Sequence, residues 1–148
     1  MNRHLSRVII MQTLYEWDFR AKADLTEVKK RNIENYHEEI DQAYIDQTIQ
    51  QVIEKLKKID EQIAKAAPEW PLEQIASIDK TILRIAVYEI LFNKDIPPKV
   101  AINEAVELGK TFGGENSSKF INGVLGTVYR QSPRYVPEEK KEASHAGE

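Results

Sequence analysis

The sequence predicts an all-α protein, a compact bundle of about six or seven helices. Three observations carry this. Apolar residues recur at steps of three and four along most of the chain, β-branched residues follow that helical spacing rather than alternating, and the prolines fall between the periodic stretches. No repeat of solenoid length is visible.

The first helix is expected over residues 4–20, with Leu5, Val8, Ile9, Leu14 and Tyr15 as core candidates. Residues 24–36 form a weaker, more polar helix. From about 40 to 64, Ile45, Ile49, Val52, Leu56, Ile59 and Ile63 recur at steps of four, three, four, three and four, which predicts one long amphipathic helix. Its other face carries Gln50, Glu54, Lys55, Lys58 and Glu61. The repeat lasts under three heptads before Pro68, so it favours packing within a bundle over a coiled coil.

Between Ser77 and Asn93 the chain is apolar around most of the wheel, through Ile78, Ile82, Leu83, Ile85, Ala86, Val87, Ile90 and Leu91. A helix apolar on several sides belongs in the middle of a bundle. Ser77 is the expected N-cap, with Asp79 and Lys80 in the first turn. Pro97-Pro98 ends this helix and forces a turn. The next, 100–112, is expected to bury Ile102, Ala105, Val106, Gly109 and Phe112 and to close on Gly113-Gly114 as a left-handed cap. Asn116 or Ser117 then caps a last helix that buries Phe120, Ile121, Val124, Leu125 and Val128. Gly123 and Gly126 inside it predict a close helix or backbone approach. Residues 1–136 thus read as one domain, and 137–148, with no apolar face, as a disordered charged tail.

Composition excludes more than it identifies. The 148 residues include no cysteine, which removes disulfides, thiol nucleophiles and Cys-ligated metals. His4, His37 and His145 are too scattered for a metal-ligand motif, and no glycine-rich phosphate loop is present. Neither a metal nor a cofactor is expected. Glu104 and Glu107 lie one turn apart with no histidine or cysteine to join them, and read as solvated charges rather than an acid–base pair. No apolar run reaches the roughly 18 residues a membrane span needs, and Val8-Ile9-Ile10-Met11 is too short for a signal-peptide core, so a cytoplasmic protein is expected. The net charge of −3 hides an uneven distribution: residues 1–22 carry a net +2 and residues 137–148 a net −2.

Two stretches are specific beyond periodicity. One runs from Asp79-Lys80-Thr81-Ile82-Leu83-Arg84 to Leu91, and the other from Pro97-Pro98-Lys99-Val100-Ala101-Ile102-Asn103-Glu104-Ala105 through Gly113 into Glu115-Asn116-Ser117-Ser118-Lys119-Phe120-Ile121-Asn122-Gly123. With Arg3, Arg7, Gln12, Leu14, Tyr15 and Asp18 in the first helix, they closely resemble the signature of the NusB family of bacterial transcription antitermination factors over about residues 3–130. The resemblance implies a non-catalytic helical bundle that binds the boxA segment of ribosomal-operon RNA, single-stranded, together with NusE, a small-subunit ribosomal protein. It also implies assembly into the RNA polymerase antitermination complex. Some members form homodimers, so a second copy is a further partner.

It assigns Arg3, His4, Arg7 and Tyr15, and a second element of Asn116, Ser118, Lys119 and Phe120, to RNA, and Asp79 and Lys80 to NusE. The chemistry is compatible. Arg3 and Arg7 are four apart, so both guanidinium groups emerge from one helix face and can meet successive phosphates. His4 adds charge only when protonated. Tyr15 and Phe120 offer rings to unpaired bases, and the helix start at Asn116 to Ser118 offers free N–H groups to a phosphate beside Lys119. Taken alone, two arginines near a terminus are ordinarily solvated, Tyr15 and Phe120 ordinarily core, and Asp79-Lys80 an exposed pair at a helix start. Asn103 and Asn122 are expected to satisfy buried backbone groups.

The N-terminal arginines are sparser than is usual in the family, and Asn116 replaces a commonly acidic residue. Two other readings stay open: an accessory to rRNA modification, since similar domains precede certain rRNA cytosine methyltransferases, and a structural module that self-associates.

Overall fold

The computed structural model describes residues 2–19, 24–36 and 39–137. Arg20, Lys22, His37, His145 and the expected tail beyond Pro137 lie outside them. Among the described residues the chain forms seven helices: α1 (Arg3–Phe19), α2 (Leu25–Glu34), α3 (Gln42–Glu54), α4 (Leu56–Ala66), α5 (Ser77–Phe92), α6 (Pro98–Phe112) and α7 (Ser117–Arg130), with a short 3-10 turn at Leu72–Gln74. The all-α expectation is met.

The centre of the bundle is α5, which packs on α1, α3, α4, α6 and α7. Every residue from Thr81 to Ile90 is buried, as its apolar wheel requires. Arg84 is among them, and its guanidinium makes two 2.9 Å hydrogen bonds to the Asp60 carboxylate on α4.

The expected long helix over 40–64 is two. Lys55 leaves helical geometry (φ −101°, ψ 14°) between α3 and α4, although its N–H still donates to the Gln51 carbonyl. Neither proline nor glycine causes the break. It falls where packing changes hands, from α1 and α5 on the α3 side to α5 and α7 on the α4 side. The apolar spacing runs through it, so all of Ile45, Ile49, Val52, Ile59 and Ile63 are still buried.

Helix starts use what the sequence supplies. Asp24 and Asp41 cap α2 and α3 by accepting backbone N–H groups, and Pro98 stands in the first turn of α6. Asn2 caps α1, its side-chain oxygen accepting the Leu5 N–H at 2.8 Å. Ser77 is not a cap. It is the first residue of α5, Ala76 stands before it, and no side chain caps that helix.

The α6–α7 corner departs from expectation. Gly113 is extended (φ −88°, ψ −172°), not left-handed. It is needed for space: a Cβ there would lie 2.4 Å from Ser117 Oγ, which accepts the Gly114 N–H at 2.8 Å. Close helix approach occurs at Gly109, whose Cβ would meet Ile121 Cδ1 at 2.8 Å, whereas Gly123 faces open space and Gly126 only the Arg130 side chain. The buried stripe of α6 is Ala101, Ala105, Leu108 and Gly109, one step round from the expected face, so Phe112 is exposed. Asn103 and Asn122 are also exposed and satisfy no buried group.

Beyond α7, Arg134 turns back onto α5. Its guanidinium donates to the carbonyls of Glu89, Ile90 and Asn93 at 3.1–3.2 Å, and with the Ile96 N–H, which also reaches the Asn93 carbonyl, it closes the C-terminus of α5.

Candidate nucleic-acid interface

The N-terminal end of α1 is fixed before any ligand arrives. Ser6 Oγ donates to the Asn2 carbonyl and accepts the Asp41 N–H, joining the starts of α1 and α3. Arg3, half-exposed, hydrogen-bonds Asp41 Oδ2 at 3.0 Å and lies 4.1 Å above the centre of the Tyr44 ring. His4 Nδ1 meets Glu104 Oε2 of α6 at 2.9 Å. Glu104 is therefore engaged rather than simply solvated.

Arg7 does not emerge beside Arg3. Its side chain is 4% exposed and grips Glu89, itself 1% exposed, through Nε to Oε1 at 3.2 Å and Nη2 to Oε2 at 3.3 Å. The Tyr44 hydroxyl donates to the same carboxylate, and Glu104 stands 3.9 Å from Arg7 Nη1. Burial pulls the pKa of Arg7 down, but the charge of Glu89, with Tyr44, the hydrogen bond and Glu104, more than reverses this and leaves it raised. Burial and then the Glu89 charge drive the Tyr44 hydroxyl well above its ordinary value, so it remains a donor. The expectation that Arg7 meets a phosphate is corrected: four-residue spacing puts two arginines near one face, but the Arg7 side chain points into a pocket that holds its counter-charge.

Tyr15 lies twelve residues from Arg3, about 18 Å along the helix. It is half-buried, stacks on the exposed Phe19 with ring centres 5.7 Å apart, and lines a groove of about 530 Å³ together with Ile78 of α5 and Phe112 of α6.

Asp79, next to Ile78 in α5, lines a second cavity, of about 320 Å³, between the starts of α5 and α7. Asp79, Asn116, Ser117 and Phe120 line it, with Trp70 as its outer wall. Trp70 is 49% exposed and meets Phe120 edge to face at 6.2 Å. Asp79 is not the exposed residue expected. It is 8% exposed, and its Oδ1 has no hydrogen-bond partner among the described residues. Lys80 is partly covered and paired with Asp18 at 3.5 Å. Lys119 is exposed, Ser118 half-buried against Gly109, and no side chain caps α7 at Asn116.

The structure thus brings Asp79, Asn116 and Phe120 to one cavity and Tyr15 beside it, leaves Arg3 and His4 at the far end of α1, and withdraws Arg7 into the core. Sequence reasoning missed Trp70, Phe19, Tyr44 and Glu89. The only signal for Trp70 was a tryptophan flanked by Pro68 and Pro71 in an otherwise polar connection. No three His, Asp or Glu side chains are grouped to hold a metal among the described residues, and no helix among them is long and apolar enough to cross a membrane.

The bundle is that of a known class of helical antitermination proteins. It superposes on the NusB structure of T. maritima with a TM-score of 0.79 and 34% identity, over 96% of this chain and 98% of that one. A solved complex of the antitermination factors NusB and NusE with double-stranded RNA contains a chain that matches with a TM-score of 0.76 and 26% identity, over 86% of this chain and 95% of its own. Residues 4–130 match the NusB family, to which this chain belongs. Relatives include the transcription antitermination protein NusB of Dehalococcoides mccartyi strain CBDB1, 42% identical over 127 residues (86% of this chain, 89% of that protein). That of Desulforudis audaxviator is 37% identical over 144 residues, 93% of this chain and all of the relative.

Proposed function

We propose that this chain is a transcription antitermination factor, not an enzyme. It acts in the cytoplasm by binding boxA-type single-stranded RNA of ribosomal operons together with NusE, and so helps to assemble the processive RNA polymerase complex. The observation that carries the reading is family membership across nearly the whole described domain, joined to the likeness with a NusB chain solved beside NusE and RNA.

The surface supports it. Arg3 supplies positive charge at one end of α1 beside the His4 ring, while Tyr15 lines the groove and Phe120 the cavity near the α5 start and Lys119 adds charge; this combination of basic and aromatic groups suits unpaired RNA. Asn116 and Ser118 place uncapped backbone N–H groups of α7 beside it. Arg7 serves the fold that carries these groups. Asp79 fits the protein partner: a buried carboxylate oxygen without a donor is costly, and a cationic side chain entering between Trp70 and Phe120 satisfies it. Lys80, tied to Asp18, borders that contact.

The test is RNA affinity of the purified chain with and without NusE, against boxA-type and scrambled single strands at several salt concentrations. Tighter, salt-sensitive binding to boxA that increases with NusE is expected. Equal affinity for the scrambled strand with NusE present overturns the reading.

A further inference from the structure

Arg3 is held unlike a side chain that reaches for a phosphate. Its guanidinium carbon Cζ stands over the Tyr44 ring, 4.1 Å from the ring centre, and an Asp41 oxygen 3.0 Å away restrains it and offsets part of its charge. Tyr44 is itself immobilised. Its ring is buried with Arg7 Cζ 5.4 Å from its centre, and its hydroxyl is bound by Glu89, which Arg7 grips in turn. Ser6 and Asn2 lock the backbone beneath. The Arg3 side chain nevertheless keeps 46% of its surface, although its cation is already engaged by the Tyr44 ring and by Asp41.

We propose that Arg3 is a stacking platform for one unpaired nucleobase, and that Tyr44 is the positioning residue that presents it. A planar cation with one face on an aromatic ring offers its other face to a second π-system, giving a ring–guanidinium–base sandwich. Lysine carries the same charge but no plane, so arginine is specified at this position by shape. This rests on the RNA-binding reading above and assigns a mode of contact within it.

The experiment uses the full chain with NusE and a labelled boxA-type single strand, intact or with one base removed at each position in turn. In wild type, one abasic position weakens binding by about five- to a hundredfold, the range of a stacked base. In Arg3→Lys and in Arg3→Ala that same abasic change has no further effect, and both bind the intact strand equally weakly. Tyr44→Leu falls to the Arg3→Ala level, and Tyr44→Phe, which keeps the ring, stays within about threefold of wild type. Arg3→Lys is at an exposed position, so it reports on the platform even where Tyr44→Leu unfolds. If Arg3→Lys binds as wild type does, and Arg3→Ala lowers the salt slope by about 0.7, the value of one phosphate contact on a single strand, the platform is overturned and Arg3 is an ordinary charge contact. If wild type does not distinguish boxA from a scrambled strand, the parent reading fails, a result separate from the other two.

Discussion

Replacing Arg7 by methionine should cost the protein its stability rather than one phosphate contact. The substitution keeps most of the side-chain volume but leaves the Glu89 carboxylate, 1% exposed, with the Tyr44 hydroxyl and without its cation. Breaking one half of a buried ion pair costs about 3–5 kcal/mol. At roughly 2–4 °C per kcal/mol for a domain near this size, the melting temperature should fall by about 6–20 °C. The double variant Arg7→Met/Glu89→Gln removes the orphaned charge while keeping an acceptor for Tyr44, and should recover at least about half of that loss. Arg3→Met, which breaks a half-exposed pair with Asp41, serves as the comparison and should cost no more than about 1 kcal/mol. Urea unfolding of these proteins, with the Glu89→Gln single variant added to complete the double-mutant cycle, gives the coupling, and RNA binding at a temperature where all are folded gives the salt slope. An Arg7→Met protein within about 1 kcal/mol of wild type, with a salt slope reduced by about 0.7, would refute the argument and return Arg7 to the RNA surface.

Three further outcomes follow from the same geometry. Because burial and Glu89 raise the Tyr44 pKa above the roughly 10 of an unfolded chain, the stability it contributes is complete below about pH 10 and is lost above it at up to about 1.4 kcal/mol per pH unit. Thermal melts across this alkaline range should therefore show a shallower decline for Tyr44→Phe; parallel curves would contradict the assignment. Gly113→Ala should destabilise by about 1–3 kcal/mol, since its Cβ meets Ser117 Oγ and the Gly109 carbonyl at 2.4 and 2.8 Å, whereas Gly123→Ala, in open space within a helix, should stabilise slightly in the same denaturation assay. Trp70→Ala should leave the melting temperature within a few degrees but weaken NusE capture about tenfold in a pull-down titration, because it removes one wall of the Asp79 cavity; unchanged capture would place the partner elsewhere.

Helices and core were legible because one repeat, three and four, reports the buried face wherever a helix is long. The same repeat concealed the break at Lys55, since the spacing continues through it. It also misplaced the α6 stripe by one step, because alanine and glycine can be buried as readily as Ile102 or Val106, and Gly109 marks the contact with α7. Motif order drew attention to Asp79, Asn116 and Phe120, which line one cavity, although the resemblance gave Asp79 to NusE and the other two to RNA. Arg7 was not legible, because its partner lies 82 residues away and a local pattern cannot distinguish a guanidinium that faces water from one that faces Glu89. Trp70 failed for a related reason: its meaning comes from Phe120, fifty positions further along the chain.

The Arg134 contact bears on the order in which this molecule can become complete. The carbonyls of Glu89 and Ile90 at the end of the central helix receive the Arg134 guanidinium from more than forty positions downstream, and it joins the local Ile96 N–H on the carbonyl of Asn93. During synthesis from the N-terminus, α5 must emerge and pack with that end still open, and α6 and α7 must follow before the guanidinium arrives. Ribosome-bound chains shorter than 134 residues should therefore be readily cleaved by proteases near residue 93, and acquire resistance in a single step once Arg134 is in reach. For a chain proposed to work on the transcripts of ribosomal operons with a ribosomal protein as partner, maturation is thereby deferred until all seven described helices have been made.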